Sequence, residues 1–392
     1  MAAPPAPVTP EVLEWAVGED GRSFDELAEA LRMDTGDLRA WLRGDERPSR
    51  GELTALAKVL RRPRAIFFLP QPPRQASAPP AFRHPPGSDR TTGEPSLRAY
   101  RRARRVQQAV AWARSGAADV PMPHASTDED PASVGAVVRS WLGVTNAEQE
   151  AWQDDREALA AWRGALDELG VLVFSLEIGK GQVRGFSSWD AHAPMLAVNA
   201  SDVTPAARVY TLAHELAHLV LRRDSACVEP PARPDPLESA PGLEAPPEGA
   251  SLERWCEEFA AAFLMPARVV TSYMRQRGVT GPIARLEDVG AVKARFRVSA
   301  RAAALRLIEL GLAEKSLYSQ VLEYFKPKPR EYDRTKEFRR LGRPRLRLRE
   351  YGPRAVATVM SRLPETDALS VLRITVEDAR TIAAEAPGVD FR

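Results

Sequence analysis

The stretch Thr211-Leu-Ala-His214-Glu215-Leu-Ala-His218-Leu-Val220 places the tightest constraint on this chain. Val209, Leu212, Leu216, Leu219 and Val220 recur at helical spacing, and neither Gly nor Pro interrupts them. Residues four apart on a helix stand one above the other, so His214 and His218 aim their imidazoles at one point. A metal ion takes such nitrogens, and Glu215, one residue along, reaches a water on the open side of that metal. Histidine is scarce here, with five in 392 residues. A chance match to the spacing is on the order of one in a few hundred such sequences.

His-Glu-x-x-His is the metallopeptidase spacing, and zinc bound that way needs a third protein ligand. No histidine follows His218. The metzincin pattern would use Asp224, which has the right spacing, but Leu221 stands where a glycine must turn the chain. That leaves a carboxylate on a second helix. Ser251-Leu-Glu253-Arg-Trp-Cys-Glu257-Glu258-Phe-Ala-Ala-Ala-Phe-Leu-Met-Pro266 reads as that helix, with Phe259, Phe263 and Leu264 toward a core. Glu253 and Glu257 share one face, and either can complete the metal shell with the other behind it. Glu258 reads as a solvated carboxylate.

The length suffices for two or three domains with at least one sizeable core. Two cysteines, Cys227 and Cys256, build no disulfide framework, which fits a reducing cytoplasm. The opening MAAPPAPVTPEV lacks a basic and then apolar signal region, and no run approaches a membrane span. A net charge of +2 argues neither for nor against nucleic acid.

Residues 8–69 read as a bundle of short helices: Thr9-Pro10 opens the first, the box Ser23-Phe-Asp-Glu26 the second, Leu38, Trp41 and Leu42 lie on the third, and 52–60 form the fourth. With Trp41…Gly44-Asp-Glu-Arg-Pro48 and Phe67-Phe68, this segment resembles the XRE-type helix-turn-helix. The resemblance implies that the third helix enters the DNA major groove, with Thr35, Gly36, Asp37 and Arg39 at base edges or phosphates. Asp34 and Asp37 and a nearly neutral segment work against phosphate contact, and the same fold also serves protein binding. Eight prolines in 70–97 mark a linker, in which Phe82-Arg83 resembles a short anchor. The basic helix 98–117 reads as a solvated face. Helices at 131–142 and 154–169 precede three β-rich runs, 171–178, 183–189 and 194–199, and the metal helix then begins near Thr204-Pro205. Residues 222–250, rich in Pro, Glu, Ala and Gly, read as an exposed mobile loop. Residues 326–350, with eleven Lys/Arg against four acidic groups, read as an exposed connector before a small helical tail.

Asn199, Arg208…Thr211-Leu-Ala-His214-Glu215-Leu-Ala-His218 and Glu253…Trp255-Cys256…Phe259-Ala260…Leu264-Met265-Pro266 together resemble the ImmA/IrrE-family metallopeptidases. Phe296-Arg-Val-Ser299…Ala304-Leu-Arg306 resembles the segment that follows the peptidase core there. The resemblance implies Zn2+ held by His214, His218 and Glu253, with Glu215 as general base. Glu257, where the family usually has Asn, is the second choice of ligand. Tyr210 and Tyr273 are the nearby candidates for an oxyanion donor.

The expected fold is α+β and mostly helical: an N-terminal helix-turn-helix bundle, a zincin-like core with a small sheet, and a helical C-terminal extension. The expected organisation is a helix-turn-helix domain at 1–70, a Pro-rich linker at 71–97, a metallopeptidase domain at 98–312 and a basic connector with helical tail at 313–392. The expected function is a cytoplasmic zinc endopeptidase in a stress-response, phage or mobile-element switch. Its implied partner is a helix-turn-helix repressor, with DNA a partner of the N-terminal domain and no membrane involved. The competing expectation is a transcription regulator whose zinc fold senses or scaffolds without cleaving peptides.

Overall fold

The structure is a computed structural model of the 392-residue chain, and it describes residues 6–18, 24–60, 62, 64–72, 94–179, 182–201, 204–227, 248–325 and 342–385. These fall into two compact units divided between Arg101 and Arg102. Helices dominate, and a four-stranded sheet lies in the second unit. No described helix is long and apolar enough to cross a membrane.

The first unit holds α1 (Pro10–Gly18), α2 (Phe24–Leu31), α3 (Thr35–Arg43), α4 (Arg50–Val59) and a 3-10 turn, Arg64–Phe68. Local chemistry sets their ends. The Asp34 side chain accepts from the Gly36 N–H at the start of α3, and Gly44, at φ 77°, closes it. Ser49 and Glu52 form a reciprocal capping box that opens α4 two residues earlier than the sequence implied. Leu13, Leu27, Leu38, Trp41, Leu53, Leu56 and Phe67 close one core. The capping residue Ser23 and the Phe82-Arg83 pair lie outside the described residues.

In the second unit the sheet order is β1-β3-β2-β4, from β1 (Leu172–Leu176), β2 (Gly185–Ser188), β3 (Met195–Asn199) and β4 (Ser225–Cys227). β1 runs parallel to β3, and the other two pairings are antiparallel. Every residue of β1, β2 and β3 is buried, as in a sheet covered on both faces. Val173, Leu196 and Val198 join the core of α9 (Pro205–Val220), the helix that carries the histidines. The three expected β-rich runs contain the first three strands. β4 was expected to be loop. Three residues carry no periodic signal, and only the ladder partner on β2 makes them a strand.

α5 (Glu94–Arg114) runs through the division between the units. Its expected solvated basic face is instead used for packing. Arg104 donates to Gln107 Oε1 and Ser188 Oγ, Arg114 to the Gly170 and His192 carbonyls, and Arg102 pairs with Glu350 at 3.2 Å. Gln107, fully buried, donates to the Ser188 and Ala193 carbonyls. Arg105 stays exposed.

α6 (Pro131–Leu142), α7 (Asn146–Ala151) and α8 (Asp155–Glu168) lead into β1. α10 (Glu248–Leu264) crosses α6 closely at Gly135, where a Cβ would stand 3.3 Å from the Phe263 nitrogen. α11 (Ala267–Gln276), α12 (Leu286–Phe296), α13 (Ala300–Glu309) and α14 (Ser316–Tyr324) follow.

The described part of the expected connector is structured. α15 (Arg343–Tyr351) packs on β1, with Tyr351 edge-on to Phe174 at 5.2 Å. Arg343 and Arg345 pair with Asp378 and Glu385 of α18 (Val376–Glu385), so two of the segment's arginines are paired within the tail. α16 (Pro353–Arg362) and α17 (Glu365–Leu372) complete that region.

Candidate metal centre

α9 begins at Thr204, whose hydroxyl caps the Ala207 N–H, with Pro205 in the first turn. The helix is buried almost all round, because the sheet, α8 and α10 each take a face. Two contacts fix its seat on the sheet. Arg208, buried, donates to the Ala200 carbonyl just past β3 (2.8 Å). On β2, Gly185 has no side chain where a Cβ would fall 2.6 Å from Thr211 Cγ2 and 3.1 Å from Glu215 Cγ. Asn199 ties the end of β3 to the β1–β2 connection: its amide donates to the Gly179 and Val183 carbonyls, and its oxygen accepts from the Ser201 N–H.

α10 is held from its far end. The carbonyls of Phe263, Leu264 and Met265 accept from Arg139 (3.0 Å), Gln149 (3.0 Å) and Arg306 (2.9 Å) respectively. Helix C-termini leave such carbonyls orphaned, and two of these three donors are cations that also suit the negative end of the helix dipole. Trp255 donates to the Glu129 carbonyl and stacks on Phe259, which stacks on Phe263. The result presents Glu253 to α9.

There the three groups meet. Nε2 of His214 lies 3.1 Å from Oε2 of Glu253 and 3.3 Å from Nε2 of His218. His218 Nε2 is 3.6 Å from the same Glu253 oxygen. Ligands about 2.0–2.1 Å from a tetrahedral ion stand about 3.3–3.4 Å apart, so the three separations describe one face of such a tetrahedron. His214, His218 and Glu253 are close enough to hold a metal ion. Glu257 is not in this group, although its charge is felt at His214.

The electrostatics also call for a cation. Burial acts against a charged His214, yet the hydrogen bond to Glu253 and the charges of Glu215, Glu253 and Glu257 outweigh it and hold its pKa above the usual histidine value. Burial pushes the Glu253 carboxyl up, but the two imidazoles pull it well below the usual carboxylate range. Burial and the same three carboxylates keep the Cys256 thiol protonated, far from a metal-binding thiolate. Glu215 is fully buried, and neither carboxylate oxygen has a hydrogen-bond partner among the described residues. A buried carboxylate left so costs more than the about 1–3 kcal/mol of a neutral polar group, unless something polar, such as a water beside a metal, completes it.

The remaining expected residues sit elsewhere. Asp224 is occupied, with Oδ1 accepting from the Trp189 N–H (2.7 Å) and Ser188 Oγ (3.2 Å). Tyr210 directs its hydroxyl to the Glu257 carbonyl at 3.4 Å, and the Tyr273 ring lies under the Arg295 and Arg277 guanidinia. In the first unit, Gly36, Asp37 and Arg39 are exposed along α3, and Thr35 donates to Asp25 (3.3 Å). The sequence reading passed over Gln149, on short α7. The Thr145-x-x-Glu148 capping box was the signal that could have marked that helix.

None of the curated proteins matches this chain. Residues 166–308, which contain the sheet, both histidines, Glu215, Glu253 and Arg306, match the Peptidase_M78 family model, the IrrE N-terminal-like domain, and so suggest a metallopeptidase-type regulator.

Proposed function

We propose that this chain is a zinc-dependent endopeptidase of a stress-response, phage or mobile-element switch, and that it cleaves a DNA-binding repressor. The observation that carries the reading is the convergence of His214, His218 and Glu253 beside a buried carboxylate, Glu215, that has no partner among the described residues. Bound by those three ligands, zinc supplies Lewis acidity toward a peptide carbonyl and lowers the pKa of water toward about 7. Glu215 accepts the proton of the attacking water and passes it to the leaving amide nitrogen. His214 and His218 would offer their Nε2 lone pairs to the metal, whose charge would displace any proton there, and Glu253 would offset part of that positive charge. The closed packing of α9 against sheet, α8 and α10 holds Glu215 in place.

The first unit is read as an XRE-type helix-turn-helix. In support, α2 and α3 are joined by a three-residue turn with Arg32 in the left-handed region (φ 56°), and α3 exposes Gly36, Asp37 and Arg39. Its role is DNA or repressor recognition. The 98–312 segment is read as the peptidase domain.

N-terminal labelling mass spectrometry on stressed native cells, comparing the natural chain with Glu215→Gln, tests the reading. A new protein terminus present only with intact Glu215 names the substrate. Equal zinc in both proteins and no Glu215-dependent terminus across several stresses would overturn it in favour of a non-cleaving regulator.

A further inference from the structure

We propose that β4 stands in for substrate: Ser225–Cys227 holds the sheet edge beside Glu215, and the site opens to a peptide only when that strand leaves. The inference rests on the peptidase reading above and names the regulation of the same site.

The argument starts at Gly185. Its missing side chain lets β2 meet α9 at Thr211 and at the Glu215 carboxylate-bearing stem. An extended peptide that is to deliver a carbonyl to Glu215 and the neighbouring ligands gains its backbone hydrogen bonds from a strand edge running past that point. The far edge of the sheet is covered. The Val173 carbonyl of β1 accepts from Arg163, which also reaches the Arg349 carbonyl of α15, and Tyr351 packs on Phe174. The β2 side is therefore the edge that serves, and the chain's own residues fill it. Ser225 pairs with Ser187, Ala226 with Phe186 and Cys227 with Gly185, antiparallel.

Upstream of the strand the attachment is strong. Arg222 lies over the Trp189 ring at 3.5 Å and donates to the Met122 carbonyl, the Arg223 N–H donates to the His218 carbonyl, and Asp224 takes the Trp189 N–H. Among the described residues the strand pairs with β2 at three positions. Residues 222–224 keep the strand beside the site when it leaves the β2 edge. The chain comes straight from His218 into this strap, which couples its position to the metal helix.

The test is a reversible lock. Ser187 and Ser225 are both buried and face each other. Facing residues of an antiparallel pair have α-carbons about 4.5–5.5 Å apart, within disulfide range. Ser187→Cys with Ser225→Cys, in a Cys227→Ser background, fastens β4 to β2 when oxidised and frees it when reduced. Asp224→Ala loosens the strap. Each zinc-loaded protein is incubated with an extract of the native cells, new termini are counted by labelling mass spectrometry, and amide exchange is followed across Gly185–Ser188. We expect Glu215-dependent termini to fall at least tenfold on oxidation and to return on reduction. Asp224→Ala should raise them several-fold with faster exchange in β2. Equal cleavage by oxidised and reduced forms would overturn the strap while leaving the peptidase reading intact. If the disulfide does not form, unchanged cleavage and exchange in Asp224→Ala overturn it instead. No Glu215-dependent terminus from any variant, the natural chain included, defeats the peptidase reading and the strap with it.

Discussion

Replacing Gly185 by alanine tests whether the close seat of β2 on the metal helix is real. The backbone there is not in the left-handed region, so alanine is allowed locally. Entropy alone would stabilise the variant by about 0.4–1 kcal/mol, through the unfolded chain. The structure argues the other sign. The new Cβ would stand 2.6 Å from Thr211 Cγ2, 2.8 Å from the Ala197 carbonyl oxygen and 3.1 Å from Glu215 Cγ. Carbon atoms settle about 3.5–4.0 Å apart, so β2 and α9 must separate by up to about 1 Å. Thr211 can turn its side chain. The Ala197 oxygen cannot yield without disturbing the β2–β3 ladder. Overpacking of this kind costs about 1–3 kcal/mol, so a net loss of up to about 2.6 kcal/mol, centred near about 1.3, remains. The control is Gly164→Ala in α8, where nothing lies within 4 Å of the added Cβ. That change removes a helix-interior glycine and should stabilise by up to about 1 kcal/mol. Urea unfolding of both variants, metal-free, gives the two free energies. Gly185→Ala as stable as the natural chain would refute the close seat and the geometry built on it.

Four further outcomes are expected. Glu253→Gln should weaken zinc binding by more than about 100-fold while Glu257→Gln stays within a few-fold, as read by competition with a chelating dye; the reverse order would move the third ligand to Glu257. Saturating zinc at about a thousand times its dissociation constant should add about 4 kcal/mol to unfolding, and a chelator should remove it, because the ligands lie on two separate helices. Gln149→Leu leaves the buried Leu264 and Phe296 carbonyls without their donor and should cost about 1–3 kcal/mol by thermal unfolding, with weaker zinc binding as α10 loosens. Burial holds the Tyr351 phenol above its usual pKa, so above about pH 10 the unfolded chain loses a proton that the folded chain keeps. Stability should then fall as pH rises, by up to about 1.4 kcal/mol per pH unit more than in Tyr351→Phe, and parallel pH profiles for the two proteins would contradict the burial argument.

Much of the candidate centre was legible before any coordinates. The His214–His218 spacing forces both imidazoles to one side of any helix that forms, and the apolar run around them makes that helix a buried one. The second helix announced itself through its aromatic face, and its own periodicity left Glu253 and Glu257 as the only choice. β1, β2 and β3 were visible as β-rich runs between Gly, Asp and Pro. What misled was charge. Arginines on α5 and α15 read as solvated because sequence shows the cation and not its acceptor. Those acceptors, Ser188, the Gly170 carbonyl and Asp378, lie far along the chain.

The sequence by itself determined that two imidazoles and a carboxylate share one helix, because helical geometry is local and repeats every few residues. Helical periodicity left Glu253 and Glu257 both open, the resemblance ranked Glu253 first, and the tertiary seating of α10 brings Glu253 rather than Glu257 within reach of the histidines. That seating depends on Arg139, Gln149 and Arg306, three residues from three different helices acting on consecutive carbonyls. The same holds for β4, which exists only because β2 offers it an edge. Contacts between residues distant in the chain leave no local pattern, and at this site they set which glutamate lies beside the histidines and the strand next to them.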